Sequence, residues 1–198
     1  HDSKILNKKV NYSVYLPAGY EHSDRSYPIV YLLHGYTDNE TAWVQFGEVN
    51  RAADLAIAAR TIPPVIIVIP DGGVSFYINN YNKEVRYEDM FFEEFVPFIE
   101  SRYRVRGGKE FRGIAGLSMG AGQAQRIGFG HPELFASVGA FSGGSRNFNI
   151  NTSYSGIFKD ADKFNDTYKL YWFGCGNLDR AYKGAKNLHE KLTEHGIR

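Results

Sequence analysis

The sequence has a single cysteine and no excess of charge of either sign. With only Cys175 present, a disulfide within the chain is excluded. The 23 basic and 22 acidic side chains leave a formal net charge of +1, so the chain lacks the dense positive field that binding to a nucleic-acid backbone requires. We therefore expect a small or neutral molecule as the partner and no nucleic acid.

Long apolar runs and metal-ligand patterns are also missing. No hydrophobic stretch approaches the roughly 20 residues of a membrane-spanning helix, and the histidines and the cysteine do not have the spacing of metal ligands. We expect no membrane association, no metal and no cofactor. Of the 198 residues, 43% are hydrophobic and 23% are charged, which fits one domain with a sizeable core.

Segments typical of strands alternate with segments typical of helices along the whole chain. Apolar and β-branched runs predict strands, at residues 10–16, 29–33, 65–69, 111–115, 136–141 and 169–173. Helical periodicity predicts helices, at residues 50–60, 87–103 with a kink at Pro97, 120–130 and 181–192. This alternation predicts an α/β fold with a mostly parallel central sheet and helices on both faces. Functional residues are then expected at the carboxyl ends of the strands.

Ser118 is the candidate nucleophile. It is the centre of the Gly-x-Ser-x-Gly run at residues 116–120, which follows a predicted strand and precedes a helix rich in small residues. A serine on such a sharp strand-to-helix turn projects its oxygen out of the sheet, and the crowded backbone accepts only small residues at Gly116 and Gly120. The alternative is a glycine-rich turn with no catalytic role. The flanking strand and helix favour the catalytic interpretation.

Two backbone amides are candidates for the oxyanion hole. In the fold that carries this serine turn, the donors are the N–H after the nucleophile and one from an early strand-to-helix loop. These positions correspond to Met119 and Tyr36, and Tyr36 follows the predicted strand 29–33 and Gly35. The same chain order, serine then acid then histidine, makes His34 a poor general base, and we expect it to be structural.

Asp179 is the candidate acid of the triad, because it follows the predicted strand 169–173. After it only His189 and His195 remain, and both fall within a predicted helix rather than on a loop after a further strand. Neither is well placed as the base. We expect the catalytic histidine beyond Arg198, in a chain that stops before the last strand of its domain.

The chain resembles the esterase D-like carbohydrate esterases, and the feruloyl esterases among them, in three stretches: residues 14–20 (VYLPAGY), 27–35 (YPIVYLLHG) and 116–120 (GLSMG). The resemblance extends over nearly the whole chain. It implies an α/β-hydrolase fold, secretion or a periplasmic location, and the same four site residues. It also implies a histidine in a Gly-Gly-His-type loop after the acid, which residues 180–198 do not contain. We therefore expect residues 1–198 to be one catalytic domain that is shortened at its C-terminal end, with a shortened N-terminal end as a second expectation.

Aromatic and amide side chains between Gly72 and Tyr87 suggest the substrate. Together with Trp43 they suit a sugar or a phenolic acyl group, through stacking and hydrogen bonds. Tyr77 and Asn79 are the candidates from this segment, although aromatic residues that pack a loop onto the core would give the same pattern. We predict hydrolysis of feruloyl or acetyl esters on xylan.

Other functions remain open. A thioester or siderophore-ester hydrolase would share the triad and differ in its pocket. An acyltransferase resembling the mycolyltransferases would need a long apolar groove, which the sequence does not indicate. A carbohydrate-binding or scaffold module could keep the fold without catalysis.

Overall fold

The chain divides into two compact units, His1–Gly107 (unit 1) and Gly108–Arg198 (unit 2). The computed structural model describes residues 1–80, 85–143 and 147–198. Part of the aromatic segment Gly72–Tyr87, residues 81–84, therefore lies outside the described residues.

Unit 1 contains a short antiparallel hairpin and a three-stranded sheet. The hairpin joins β1 (Asp2–Ser3) to β2 (Lys8–Lys9). In the sheet, β3 (Tyr12–Tyr15) runs antiparallel to β5 (Ile66–Pro70), and β4 (Ile29–Leu33) runs parallel to the other side of β5. All five residues of β5 are buried, as the uninterrupted apolar run predicts for a strand covered on both faces.

The helices of unit 1 lie between these strands and after them. They are α1 (Ala42–Gln45), α2 (Val49–Ala58), α3 (Tyr87–Met90), α4 (Val96–Arg102) and a 3₁₀ turn at Tyr20–His22.

The predicted helix at 87–103 is present but is not uniform. Between α3 and α4 the chain makes a π turn at Phe91–Phe95, directly before Pro97. Proline has no N–H for the carbonyl four residues earlier, and its ring crowds that carbonyl. A wider π turn relieves this conflict while the helix continues. The interruption predicted at Pro97 therefore takes the form of a π turn on its N-terminal side.

Unit 2 is built on three parallel strands, which are adjacent in chain order. β6 (Arg112–Leu117) pairs with β7 (Ser137–Phe141), and β7 pairs with β8 (Leu170–Gly174). The helices are α5 (Met119–Gly130), α6 (Ala161–Thr167) and α7 (Tyr182–Glu194), with 3₁₀ turns at Lys109–Phe111 and Ser153–Gly156. The α/β class with mostly parallel strand pairing is confirmed.

None of the helices within residues 1–80, 85–143 and 147–198 is long and apolar enough to cross a bilayer.

The core of unit 2 is organised around one aromatic ring. Phe129, on α5, is 3% exposed. Its ring centroid lies within 6 Å of five other rings, at 4.9–5.8 Å: those of Tyr154, Phe158, Phe164, Tyr168 and Tyr171. This cluster packs the helix that follows Ser118 against α6, β8 and the segments that lead into them.

Removing the central ring is expected to destabilise the protein strongly. Phe129→Ala should lower the free energy of unfolding by about 3–5 kcal/mol, because it leaves a cavity bordered by several rings. Phe46→Ala is the matched control, since Phe46 is 81% exposed and a surface change usually costs within about 0.5 kcal/mol. Chemical denaturation followed by circular dichroism measures both. A Phe129→Ala loss as small as that of the control would contradict this view of the core.

Candidate active site

Ser118 lies on a strained turn between β6 and α5. Its φ is +54° and its ψ is −108°, a conformation that residues other than glycine rarely adopt. The turn is held on both sides, because the Ser118 N–H donates to the Phe141 carbonyl at 2.9 Å and its carbonyl accepts from the Gly122 N–H at 3.1 Å. The serine itself is exposed, as a nucleophile on such a turn must be.

Steric crowding explains why a glycine, Gly116, precedes the turn. A Cβ atom built on Gly116 would lie 2.4 Å from the carbonyl carbon and oxygen of Gly120. Strand and helix thus approach so closely that a side chain at Gly116 would displace the backbone. Gly122 differs, since a Cβ there would meet nothing within 4 Å.

Asp179 lies in the loop after β8 and lines the same pocket as Ser118. The pocket has a volume of about 530 Å³, and its lining residues are Ser118, Ser142, Leu178, Asp179, Arg180, Ala181 and Gly184. One carboxylate oxygen of Asp179 accepts the Ala181 N–H at 2.8 Å. That bond, and then a hydrogen bond from the Ser142 hydroxyl, lowers the pKa of Asp179, with a smaller contribution from Arg180. Hydrogen bonds to the charged form, together with exposure to water, thus favour the ionised carboxylate.

The histidines in the described part of unit 2 lie elsewhere. The His189 ring is 5.9 Å from that of Phe173, beside the groove that Trp172 lines. His195 Nε2 is 3.1 Å from the Lys159 carbonyl, and His131 Nδ1 is 3.2 Å from a Glu133 carboxylate oxygen. None of the three lines the pocket of Ser118 and Asp179.

The two candidate oxyanion donors lie in different units. Met119 is the first residue of α5 and is buried. Its N–H is among the first four of the helix, which have no partner within it. Tyr36 follows β4 in unit 1, is 55% exposed and has its ring 5.7 Å from that of Phe76. Their roles as donors stay predictions.

His34 is enclosed at the end of β4. It is 1% exposed, and its Nε2 accepts the Gly72 N–H at 2.9 Å. Its Nδ1 lies 2.8 Å from the Gly35 carbonyl and must donate there, since a carbonyl only accepts. With both ring nitrogens used inside unit 1, His34 ties the loops after β4 and β5 together.

The three candidate substrate contacts, Trp43, Tyr77 and Asn79, differ in exposure and in the hydrogen bonds that they already make within unit 1. Tyr77 is 0% exposed, and its hydroxyl accepts the His34 N–H at 2.8 Å, so it has no free surface with which to meet a substrate. Trp43 is half-buried and its indole N–H donates to the Leu33 carbonyl at 3.0 Å. The Asn79 amide donates to Asp89 at 2.7 Å.

Sequence reasoning did not single out Ser142 or Arg180, which line the pocket with Ser118 and Asp179. The signal was the position of Ser142, directly after the strand that follows the nucleophile strand in the chain.

Comparison with known proteins gives the family. The family model described as "Putative esterase" matches residues 3–171. The chain belongs to this esterase family. The predicted resemblance to esterase D-like enzymes with an α/β-hydrolase fold is thereby confirmed.

Individual relatives agree with the family. An endo-1,4-beta-xylanase/feruloyl esterase of Xylanibacter ruminicola is 32% identical over 204 residues, which cover 99% of this chain and 26% of that protein. An acetyl esterase of Caldicellulosiruptor saccharolyticus is 26% identical, over 97% of this chain and 71% of that protein. A solved ferulic acid esterase structure superimposes with a TM-score of 0.84 at 29% identity, covering all of this chain and 84% of that one. The chain spans about a quarter of the length of the xylanase/feruloyl esterase.

The close approach at Gly116 gives a sharp test of the serine turn. Gly116→Ala should cost about 1–3 kcal/mol of stability through overpacking and should slow labelling of Ser118 by a fluorophosphonate, because the turn is displaced. Gly122→Ala should fold normally and gain about 0.5–1 kcal/mol of stability, since alanine is the better helix former and the space is open. Equal labelling and stability of the two variants would show that this contact does not determine the turn.

Proposed function

We propose that the chain is a serine carboxylesterase that hydrolyses feruloyl or acetyl esters of plant-wall polysaccharide through an acyl-enzyme. The observation that carries the proposal is the strained, exposed Ser118 in one pocket with the ionised Asp179. Nucleophile and acid follow strands β6 and β8 in the chain order that this fold uses.

In the proposed reaction, Ser118 Oγ attacks the ester carbonyl. The oxygen–acyl bond forms, the bond to the alcohol breaks, and the serine proton passes through a base to the departing alcohol. Water then attacks the acyl-enzyme, which frees the acid and restores the serine. The N–H groups of Met119 and Tyr36 are proposed to stabilise the oxyanion in both steps.

Asp179 is proposed to orient the base. An ionised carboxylate accepts the Nδ1–H of the catalytic histidine and stabilises the imidazolium that forms. We propose a base other than His189 and His195, because each of them lies against other groups away from the pocket.

The substrate class is proposed from the relatives and from unit 1. The similar proteins include a xylanase/feruloyl esterase, an acetyl esterase and a ferulic acid esterase. Trp43 offers a partly exposed aromatic face for a phenolic acid or a sugar, and Asn79 an amide. Tyr77 is assigned a supporting role, through its bond to His34. Substrates on plant walls fit secretion or a periplasmic location, which we propose for the protein.

The nucleophile is tested by covalent labelling. A fluorophosphonate should label the unmodified chain, and Ser118→Ala should abolish both labelling and hydrolysis of p-nitrophenyl acetate, because no nucleophile is left. Ser137→Ala, at the other end of β7, is the matched control and should keep both activities. His189→Ala and His195→Ala should leave the rate unchanged. Labelling that survives Ser118→Ala, with peptide mapping to another residue, would refute the proposal.

The acyl group is tested by comparing methyl ferulate with a short acyl ester. We expect the specificity constant kcat/KM to be higher for methyl ferulate if the feruloyl version holds, and higher for the acetyl ester if the acetyl version holds. Trp43→Ala should raise KM for methyl ferulate roughly three- to tenfold through lost stacking, whereas Trp172→Ala on β8 should not. Faster turnover of a thioester than of either oxygen ester would favour the thioester hydrolase. If the Ser118→Ala variant bound xylan and the unmodified chain turned over none of these esters, a carbohydrate-binding module would be favoured instead.

A further inference from the structure

Two exposed aromatic rings lie against each other in the loops that follow β4 and β5. Tyr36 is 55% exposed and Phe76 is 47% exposed, and their ring centroids are 5.7 Å apart at an interplanar angle of 36°. Single exposed aromatic residues are common on protein surfaces. A pair of rings that touch each other and are exposed together forms an apolar patch, and apolar patches are typical of ligand-binding surfaces.

A strained backbone presents Phe76 to the solvent. Phe76 and Tyr77 both have left-handed conformations, with φ of +56° and +53°, which residues other than glycine rarely adopt. Their side chains differ in burial, since Tyr77 is 0% exposed whereas Phe76 is about half exposed. Strain of this kind persists only where the surroundings impose it, and it is concentrated at functional sites.

The buried Tyr77 connects the two loops. Its hydroxyl accepts the His34 N–H at 2.8 Å and donates to the His34 carbonyl at 3.2 Å, and its ring centroid lies 5.3 Å from that of Tyr87. Tyr36 follows His34 after one glycine, and Phe76 directly precedes Tyr77. One buried contact therefore joins the two segments that carry the exposed rings, so the pair exists before any ligand binds.

The groups around the pair favour a phenolic ring over a sugar. The hydroxyls of Thr37 and Ser75, which are next to the two rings in the chain, already donate to the carbonyls of Tyr36 and Gly72, both at 2.6 Å. A sugar that stacks on a protein must find hydrogen-bond partners for its hydroxyls, and these two hydroxyl protons are already used. A third aromatic ring stacked on one member of the pair would be inclined to the other, and aromatic groups favour such offset and tilted contacts.

We propose that Tyr36 and Phe76 form the contact surface for the phenolic ring of a feruloyl ester, so that these two side chains determine the preference for an aromatic over an acetyl acyl group. The inference rests on the proposed function and deepens it by naming the residues that recognise the acyl group. Tyr36 is also the proposed oxyanion donor through its N–H, and only a short vinyl linker separates the carbonyl of a feruloyl ester from its ring. One residue thus meets both parts of the acyl group, with its backbone and with its side chain.

Binding to a chain without its nucleophile tests the inference independently of turnover. In the Ser118→Ala background, isothermal titration calorimetry measures the dissociation constant of methyl ferulate, and circular dichroism verifies each fold. Tyr36→Ala and Phe76→Ala should each weaken binding about three- to tenfold, because each removes one aromatic contact. Tyr36→Phe and Phe76→Tyr keep a ring and should bind as the parent does. Phe46→Ala is the matched control, since Phe46 is an aromatic residue of unit 1 that is 81% exposed, and it should leave the affinity unchanged.

Nuclear Overhauser effects locate the ligand. They should connect the methoxy protons of methyl ferulate with ring protons of Tyr36 and Phe76, and their absence would overturn the inference. So would undetectable binding by the parent, unchanged affinity in either alanine variant, or an equal loss in Phe46→Ala. Binding of xylotriose in place of methyl ferulate, with the same dependence on the two rings, would replace the phenolic site by a sugar platform. Failure of the proposed function is distinguishable, because it is hydrolysis and labelling that survive Ser118→Ala, and the binding measurements involve neither.

Discussion

The contact between the end of β6 and the start of α5 is the constraint on which the candidate site depends. Gly116 and Gly120 approach so closely that no side chain fits between them. To turn from a strand into a helix at that distance, the chain must adopt an unfavourable conformation at Ser118. That strain is balanced by packing elsewhere, since α5 carries Phe129 into the aromatic cluster of unit 2. Hydrophobic burial on one part of the helix thus holds the serine in place at its beginning.

Parallel strand pairing brings the candidate acid to the same edge of the sheet as the serine. In a parallel sheet the carboxyl ends of neighbouring strands lie at one edge. Here the residues after β6 and β7, Ser118 and Ser142, each donate an N–H to the last residue of the next strand. Ser118, Ser142 and Asp179 therefore line one pocket although they are far apart in the sequence. The same principle operates in unit 1, where His34 joins the residues that follow β4 and β5.

Sequence patterns predicted the parts of the fold that rest on periodicity. The apolar runs of β4 to β7 are signals that burial imposes directly. The predicted stripe of Ala181, Ala185, Leu188 and Leu192 is buried at its last three positions, whereas Ala181 lies half-buried just before α7. Strand β8 is present as predicted, although none of its five residues is buried. Helix α6 was not predicted, because it is short and buries only Phe164. Its signal was the capping side chain of Asp160, which accepts the Lys163 N–H at 3.0 Å.

The candidate site was predictable where a local motif specifies the geometry and not where tertiary contacts do. Ser118 and its glycines form such a motif, and Asp179 follows from chain order and strand position. Tyr77 and Ser142 show the limit, because composition cannot tell a loop tyrosine that contacts ligand from one whose hydroxyl holds a buried backbone. The left-handed backbone of Ser142 likewise accompanies a bond from its N–H to Gly174, a residue 32 positions away that no local pattern links to it.

The electrostatics of Asp179 follow from the same geometry. Burial would raise the pKa of a carboxylate, whereas hydrogen bonds to its charged form lower it. At Asp179 the bonds from Ala181 and Ser142 dominate because the group is exposed. Its folded-state pKa lies below the ordinary value, so the stabilisation it contributes is present above that value and is lost as the pH falls through the folded-state pKa. The carboxylate therefore stays charged throughout the range in which a histidine titrates, and an acid that orients a histidine base needs that property.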